Sequence, residues 1–530
     1  MPRPVVPRWL IAACLVASFV QSCFFACAMV PDPDETVHVF LGRLAITGQI
    51  SLFQDELPGF RAPLPFYFFG LSQLLFDRSI LAARVMSAAL GTLCLLLLML
   101  FATRIGDRLC GILTLLFVVT DGALIGFFAH TSYHTLTSFF LVTALYVVFA
   151  TDLRHKRVLA MLACSCLFFT RTLMMPLIPL AMLYLLWKEK SRADRLAIVA
   201  AAIVPPLAFF LYDQRHLKLL AYVPLLSASV RSYGYQSPTR MMTPLRYDPD
   251  NTPMGALLVL LRWYKPWILA ALALGASAVA VAIRGRSLSA FFSNRAVNVT
   301  VVVAMYLSVM HLLGSRGSWT GSVGYVASFG ILAAIVLGFG FSTLIEHYCS
   351  TPMYRRAVFL TLAALFLWAP LASPPPALPR AVSWEHPPTR AFAALAQELS
   401  RTIPADARVF NLGATQALYA AGLTPYLRQN FGFNTLSSTT DDRVRTKSGL
   451  WGEPEIRGWL SDDADYAVIA PASVDGYRDT CGSCVALVES LLARYFEQVT
   501  VLTEYPGQTY IVYKRSRHRP RVSVESSSAS

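Results

Sequence analysis

The sequence predicts a polytopic α-helical membrane protein that carries a small α/β domain at its C-terminal end. Three observations predict it. Of 530 residues, 55% are hydrophobic and only 14% charged, with a mean hydropathy of +0.52, whereas a soluble chain of this size needs far more charge on its surface. Apolar runs of spanning length recur through the first 372 residues. Beyond them the composition turns soluble, with short strands and helices in alternation.

The apolar runs give about eleven helices, near 9–29, 82–103, 109–129, 133–151, 158–171, 173–187, 196–212, 265–283, 297–313, 323–345 and 357–371. The first follows Arg3 and Arg8. Ala26-Cys27-Ala28 has the small residues of a signal-peptidase site, but the run is long enough to span and reads as a retained helix. Charge supports this order independently. Arg104 and Arg108, then Arg154, Lys156 and Arg157, then Lys188, Lys190, Arg192 and Arg195, then Arg284, Arg286 and Arg295, and finally Arg355 and Arg356 occupy alternate connections. Basic loops of this kind stay on the cytoplasmic side, so the N-terminus is expected inside and everything after residue 372 outside. The net charge of +14 is accounted for by those loops. No basic stripe with interleaved aromatics is present, and no nucleic-acid partner is expected.

The membrane part is read as 1–372, with outer loops at 30–81 and 213–264. Pro374-Pro375-Pro376, Pro379, Pro387 and Pro388 mark a stiff linker over 373–395. An α/β domain over 396–516 follows, then a disordered tail over 517–530. Within the domain, Val409–Gly413 reads as a strand and turn, and Ala414–Gly422 as a helix. Tyr466–Ala470 reads as a strand, Val485–Phe496 as a helix and Thr509–Lys514 as a last strand. Most of the ten cysteines lie in apolar stretches and behave as small hydrophobes; in the polar C-terminal part only Cys481 and Cys484 form a short pair, read as a disulfide or two idle thiols.

Candidate chemistry gathers in the outer segments. Pro33-Asp34-Glu35-Thr36-Val37-His38 stands immediately outside the first span and opens an amphipathic helix through Leu41, Leu44 and Ala45 to Gly48. Two readings stand together: Asp34 and Glu35 cap the helix and suit its dipole, or they are a carboxylate pair poised for proton transfer. Arg171 separates two apolar runs, where a cation is costly unless it faces a polar cavity or reaches the headgroups. Arg246 and Lys265 lie in or beside the long outer segment 213–264 and are further candidates for an anionic ligand.

The order Asp34-Glu35, Gly48, Arg61-Ala62-Pro63-Leu64-Pro65, then Ala82-Ala83-Arg84 resembles the GT-C superfamily of glycosyltransferases. It looks closest to the branch of protein O-mannosyltransferases and the lipid A aminoarabinose transferase. Leu418-Tyr419-Ala420-Ala421-Gly422 and Tyr510-Ile511-Val512-Tyr513-Lys514-Arg515 are similar to the external domain of the bacterial members. The resemblance implies a GT-C-like fold in a bacterial inner membrane and a C-terminal domain in the periplasm. It implies a polyprenyl-phosphate sugar as donor, a lipid, glycan or protein as acceptor, and inverting transfer. It makes Asp34 the general base, with Glu35 as its helper or as a helix-start residue. Arg61 takes the family's lysine position, with a bidentate fork in place of a point charge, and is the first candidate for the donor phosphate. His38, Arg171, Arg246 and Lys265 are further donor-site candidates. Arg84 is read as snorkelling or capping its helix.

One departure concerns the next outer turn, His130-Thr131-Ser132-Tyr133-His134. Relatives carry a second acid there; here His134 aligns, and it could bind sugar hydroxyls or share base duty. Asp121 is the alternative acid. His130 and His134 have a spacing compatible with a divalent metal, but no third ligand is evident, so no cofactor or metal site is indicated. The rival functions are a transporter or flippase of lipid-linked sugars and an O-antigen ligase or polymerase. Against the transporter stand the missing repeats and the gathering of charge in outer loops rather than at mid-membrane.

Overall fold

The computed structural model describes residues 8–28, 33–52, 62–76, 79–131, 133–171, 174–212, 275, 294–314, 330–348, 388–429, 435–447, 449–505 and 508–516. The helices expected at 265–283, apart from Gly275, and at 357–371 lie outside them. The described residues divide into two compact units.

The first unit takes in residues up to 26, 84–209 and the described part of 294–348. It contains most of α1 (Arg8–Ala28) and α4 (Ile80–Ile105), then α5 (Arg108–Val119), α6 (Gly122–Phe128), α7 (Tyr133–Ala150), α8 (Lys156–Thr170) and α9 (Leu177–Lys188). It continues with α10 (Arg192–Tyr212), α11 (Arg295–Gly314) and α12 (Gly330–Tyr348). Trp9–Ala28, Ile80–Ile105 and Tyr133–Ala150 are long and apolar enough to cross a membrane; Arg108–Val119 and Leu177–Lys188 are apolar but shorter. Tight packing between α5 and α12 depends on a missing side chain: a Cβ on Gly338 would lie 2.2 Å from Thr114 Oγ1.

The span expected at 109–129 is broken. α5 ends at Val119, and Asp121 restarts the chain by accepting a hydrogen bond from the backbone N–H of Leu124 at 3.2 Å, capping α6. A short carboxylate offers the backbone a partner that a continuous helix cannot, so the apolar run divides there.

The basic connections of this unit are tied to one another. Arg104 pairs with Asp152 at 2.8 Å, Arg157 with Glu189 at 2.7 Å and His155 with Asp194 at 3.0 Å. The Asn294 side chain donates to the Ile105 carbonyl at 2.9 Å, and Ser342 donates to Asp107 at 2.6 Å. The exposed Arg104–Asp152 pair contributes little by itself, but together these contacts join the connections that the charge pattern assigned to one side.

The second unit takes in residues 27–83, the last three residues of α10 (210–212) and the described part of 381–530. Its first part is a helical hairpin, α2 (Pro33–Ile46) and α3 (Leu64–Leu75). α2 stops where expected. Gly48 adopts φ +72°, Gln49 N–H reaches the Leu44 carbonyl at 2.9 Å and Gly48 N–H the Ala45 carbonyl at 3.2 Å. This is a Schellman termination, which needs the left-handed conformation that glycine adopts without strain.

The α/β part begins with α13 (Pro388–Thr402), whose first residue is a proline suited to that position. Then come β1 (Val409–Leu412), α14 (Thr415–Ala420), α15 (Asp442–Lys447), α16 (Glu453–Arg457) with a π-helical segment Gly458–Asp463, β2 (Tyr466–Ile469), α17 (Pro471–Tyr495), β3 (Phe496–Tyr505) and β4 (Gln508–Arg515). The sheet order is β1-β2-β4-β3, with β1 and β2 parallel and the other pairs antiparallel. Phe410, Trp451, Ile456, Leu460, Val485 and Val488 fill its core, with Tyr426 stacked on Trp459 at 4.6 Å.

The three expected strands and the short helix are present. The helix expected at Val485–Phe496 instead starts at Pro471 and bends at Cys481, which forms a disulfide with Cys484. The strand β3 was not expected. Of its apolar residues whose side chains are described, only Phe496 and Leu502 are buried, Val499 and Val501 are exposed, and the register to β4 shifts between Gln498 and Thr500. A bulge on an edge strand erases the alternation by which a strand is read.

Candidate functional site

Candidate residues fall in both units, and each group stands in its own surroundings. In the second unit, Asp34 and Glu35 lie in the first turn of α2, where backbone N–H groups and the helix dipole favour negative charge. The Asp34 side chain lies outside the described atoms, and Arg61, Arg246 and Lys265 lie outside the described residues. Glu35 does not face water: it is fully buried, as are Thr36 and His38. Burial of an acid and an imidazole one turn apart is costly unless each finds a partner.

His38 is held by apolar rings, 5.0 Å from Phe66 and 6.4 Å from Phe69 of α3. One turn further on, Gly42 admits α3 at backbone distance; a Cβ there would lie 2.1 Å from the Phe66 carbonyl oxygen. The reciprocal Cβ on Gly70 would lie 2.4 Å from the Gly42 carbonyl carbon. The hairpin therefore has one register, and it fixes the turn that carries the acid pair.

In the first unit, a second polar group surrounds the start of α7. Ser87 Oγ donates to the His130 carbonyl at 2.8 Å and lies 3.0 Å from Thr135 Oγ1. Thr137 donates to Thr170 at 3.1 Å. Arg171, half-buried at the end of α8, stands over the Tyr133 ring with its Cζ 4.8 Å from the centroid. His134, buried, lies with its ring 4.3 Å from that of Tyr133 and 5.0 Å from that of Phe127. The structure thus brings His134 and Arg171 together through one tyrosine.

Two expectations change. Arg84 neither snorkels nor caps its own helix; it is buried, and Nη1 donates to the Ala26 carbonyl near the end of α1 at 2.7 Å. A guanidinium suits that position because the last carbonyls of a helix lack backbone partners. Asp121 does not sit inside a continuous helix but at its break, with one oxygen occupied by the α6 cap.

No protein-family model matches the sequence, and no curated protein matches it. Solved structures do. The chain is similar to ArnT from Cupriavidus metallidurans bound to undecaprenyl phosphate, with TM-score 0.44 and 14% identity over 95% of this chain and 97% of that one. It is also similar to the Archaeoglobus fulgidus oligosaccharyltransferase in the apo form, with TM-score 0.46 and 11% identity over 98% of this chain and 76% of that one. A third similarity is to the same archaeon's oligosaccharyltransferase AglB in complex with an inhibitory peptide and a dolichol-phosphate, with TM-score 0.45 and 11% identity over 97% and 75%. Likeness at this level assigns no residue of this chain a role.

The hydroxyls around His134 were missed from sequence. Thr131, Thr135, Thr137 and Ser138 are all buried at the head of an apolar helix. The density of hydroxyls in that turn was the available signal, since a buried hydroxyl needs a partner. With Arg171 beside them, these groups are chemically suited to an anionic or hydroxyl-rich ligand. Among the described residues no group of three His, Cys, Asp or Glu could hold a metal ion.

Proposed function

We propose that this chain is a membrane glycosyltransferase that moves a sugar from a polyprenyl-phosphate carrier to a lipid, glycan or protein acceptor on the extracytoplasmic side. The observation that carries the reading is the acid pair in the first turn of α2. It directly follows the first apolar helix and belongs to a hairpin locked by the Gly42–Gly70 contact, with Glu35 fully buried.

In the reaction we assign, the Asp34 carboxylate takes the proton of the acceptor hydroxyl or amine as that group attacks the anomeric carbon. A new glycosidic bond forms on the face opposite the breaking carbon–oxygen bond, so configuration inverts. The electron pair of the broken bond leaves on the polyprenyl phosphate. Negative charge grows on that leaving group, and fixed guanidinium groups aimed at it supply the main stabilisation. Arg61 is assigned this role first, with Arg171, His134 and His38 as further candidates for binding the donor. Arg246 and Lys265 remain candidates for the same phosphate.

The extracytoplasmic assignment has support besides loop charge. The C-terminal domain holds a buried Cys481–Cys484 disulfide, a bond that persists in oxidising compartments.

The test uses purified protein and a labelled polyprenyl-phosphate sugar. The lipid phosphates named for the structural neighbours, undecaprenyl phosphate and dolichol-phosphate, define the carriers to try first. Release of free polyprenyl phosphate with transfer of label to an acceptor supports the reading. Label that crosses a vesicle bilayer still attached to its carrier assigns the chain to transport instead.

A further inference from the structure

The motif Leu418-Tyr419-Ala420-Ala421-Gly422 has a local reason and a second use. It forms the end of α14. Leu423 N–H reaches the Leu418 carbonyl at 2.9 Å and Gly422 N–H the Tyr419 carbonyl at 3.0 Å, with Gly422 at φ +81°. The Schellman pair is completed by burial of Leu418 and Leu423. A helix of six residues stopped this firmly presents its last turn in one orientation.

What it presents is Tyr419, only 2% exposed. The ring stands edge-on to Phe40 of α2 at 5.0 Å. The hydroxyl donates to Gln73 Oε1 of α3 at 2.9 Å, and the Gln73 amide is committed on its other side, donating to Ser72 Oγ at 2.8 Å and to the Ser79 carbonyl at 3.1 Å. One side chain of the α/β domain therefore grips both helices of the hairpin, by an aromatic edge on α2 and a buried hydrogen bond on α3. Phe40 lies on the same helix as Asp34 and Glu35, and the hairpin crossing at Gly42 and Gly70 leaves little slack between grip and acid pair.

We infer that Tyr419 is a positioning residue for turnover: through Phe40 and Gln73 it sets where α2 holds its acid pair. The C-terminal domain is then part of the catalytic apparatus. The inference rests on the reading of Asp34 as general base. Positioning errors of a fraction of an ångström act on the chemical step, so the deficit belongs in kcat rather than in donor affinity.

The experiment uses the full-length protein, with kcat and donor KM measured for Tyr419→Phe, Gln73→Met, the double variant and Asp34→Asn. Tyr419→Phe keeps the ring against Phe40 and loses only the hydroxyl; Gln73→Met keeps the shape and loses that bond together with those to Ser72 and Ser79. Each is expected to lower kcat by about threefold to tenfold with donor KM unchanged. The double variant is expected to be no slower than Gln73→Met alone, because the bond that Tyr419→Phe removes is already gone there. Wild-type kcat in both single variants overturns the inference while leaving the base assignment intact if Asp34→Asn is inactive. A lowered melting temperature with wild-type kcat in the folded fraction overturns it too, because that is a structural role alone. Wild-type turnover in Asp34→Asn defeats the base assignment and this inference with it.

Discussion

Gly42 and Gly70 meet with no side chain between them, the built Cβ of Gly70 falling 2.4 Å from the carbonyl carbon of Gly42. Alanine normally stabilises a helix relative to glycine, by up to about 1 kcal/mol. At this crossing the added methyl has only backbone to displace, so Gly42→Ala and Gly70→Ala are expected to cost about 1–3 kcal/mol and to depress turnover. Gly126→Ala, with nothing within 4 Å of its built Cβ, is the matched control and should be neutral or mildly stabilising. Thermal unfolding of the three variants checks this; equal melting temperatures would remove the tight crossing from the account.

Arg171 over Tyr133 makes a separate prediction. If the guanidinium meets the donor phosphate, Arg171→Ala should raise donor KM by roughly tenfold to a hundredfold, the range for a hydrogen bond to a charged group. Arg171→Lys should recover part of the loss, because charge survives without the planar fork. Tyr133→Phe keeps the ring face and should be close to wild type, whereas Tyr133→Leu should raise KM by about twofold to fivefold. Donor titrations distinguish these; an Arg171→Ala variant with unchanged KM moves the phosphate elsewhere.

The Cys481–Cys484 bridge closes a very short loop at the bend of α17. Loop-closure entropy for so few residues gives about 2 kcal/mol. Cys481→Ser, or reduction in unfolding buffer, should lower the denaturant midpoint of the C-terminal domain without a change in the folded far-ultraviolet spectrum. A midpoint insensitive to reductant would show that the bridge contributes nothing.

Tyr426 sets an alkaline limit. Burial, and then the hydrogen bond it donates to Asp463 at 2.8 Å, hold its phenol above the usual tyrosine range. A raised folded pKa means that the contribution is complete below the unfolded value, near pH ~10, and is lost as pH climbs from there toward the folded value. Denaturant midpoints measured across that window should fall for wild type. They should fall less for Tyr426→Phe; identical slopes would show that Tyr426 does not govern the alkaline limb.

Much of this was legible in the amino-acid order, for identifiable reasons. The first apolar run, the stop at Gly48 and the short strands Val409–Leu412 and Tyr466–Ile469 are each decided by local chemistry: uniform apolarity, a glycine able to take positive φ, a brief buried run. Three features were not legible. The break at Asp121 hides inside uniform apolarity, where one polar residue reads as an interruption and not as a cap. Strand β3 hides because its bulge and exposed edge put valines in water and break the alternation. The grip of Tyr419 on Gln73 hides because the two are 346 positions apart, and no periodicity reports a contact of that separation. At the acid pair the sequence singled out Asp34 and Glu35 but not the burial of Glu35, which depends on how α3 packs against α2.

The central claim is that Asp34 removes the acceptor's proton. The direct measurement is single-turnover release of labelled polyprenyl phosphate by wild type and Asp34→Asn at saturating donor, with donor affinity measured in parallel. General-base catalysis predicts a loss of about a hundredfold or more in rate with donor affinity nearly unchanged. Release by Asp34→Asn at the wild-type rate would contradict the assignment and remove the acid pair of α2 from the chemistry.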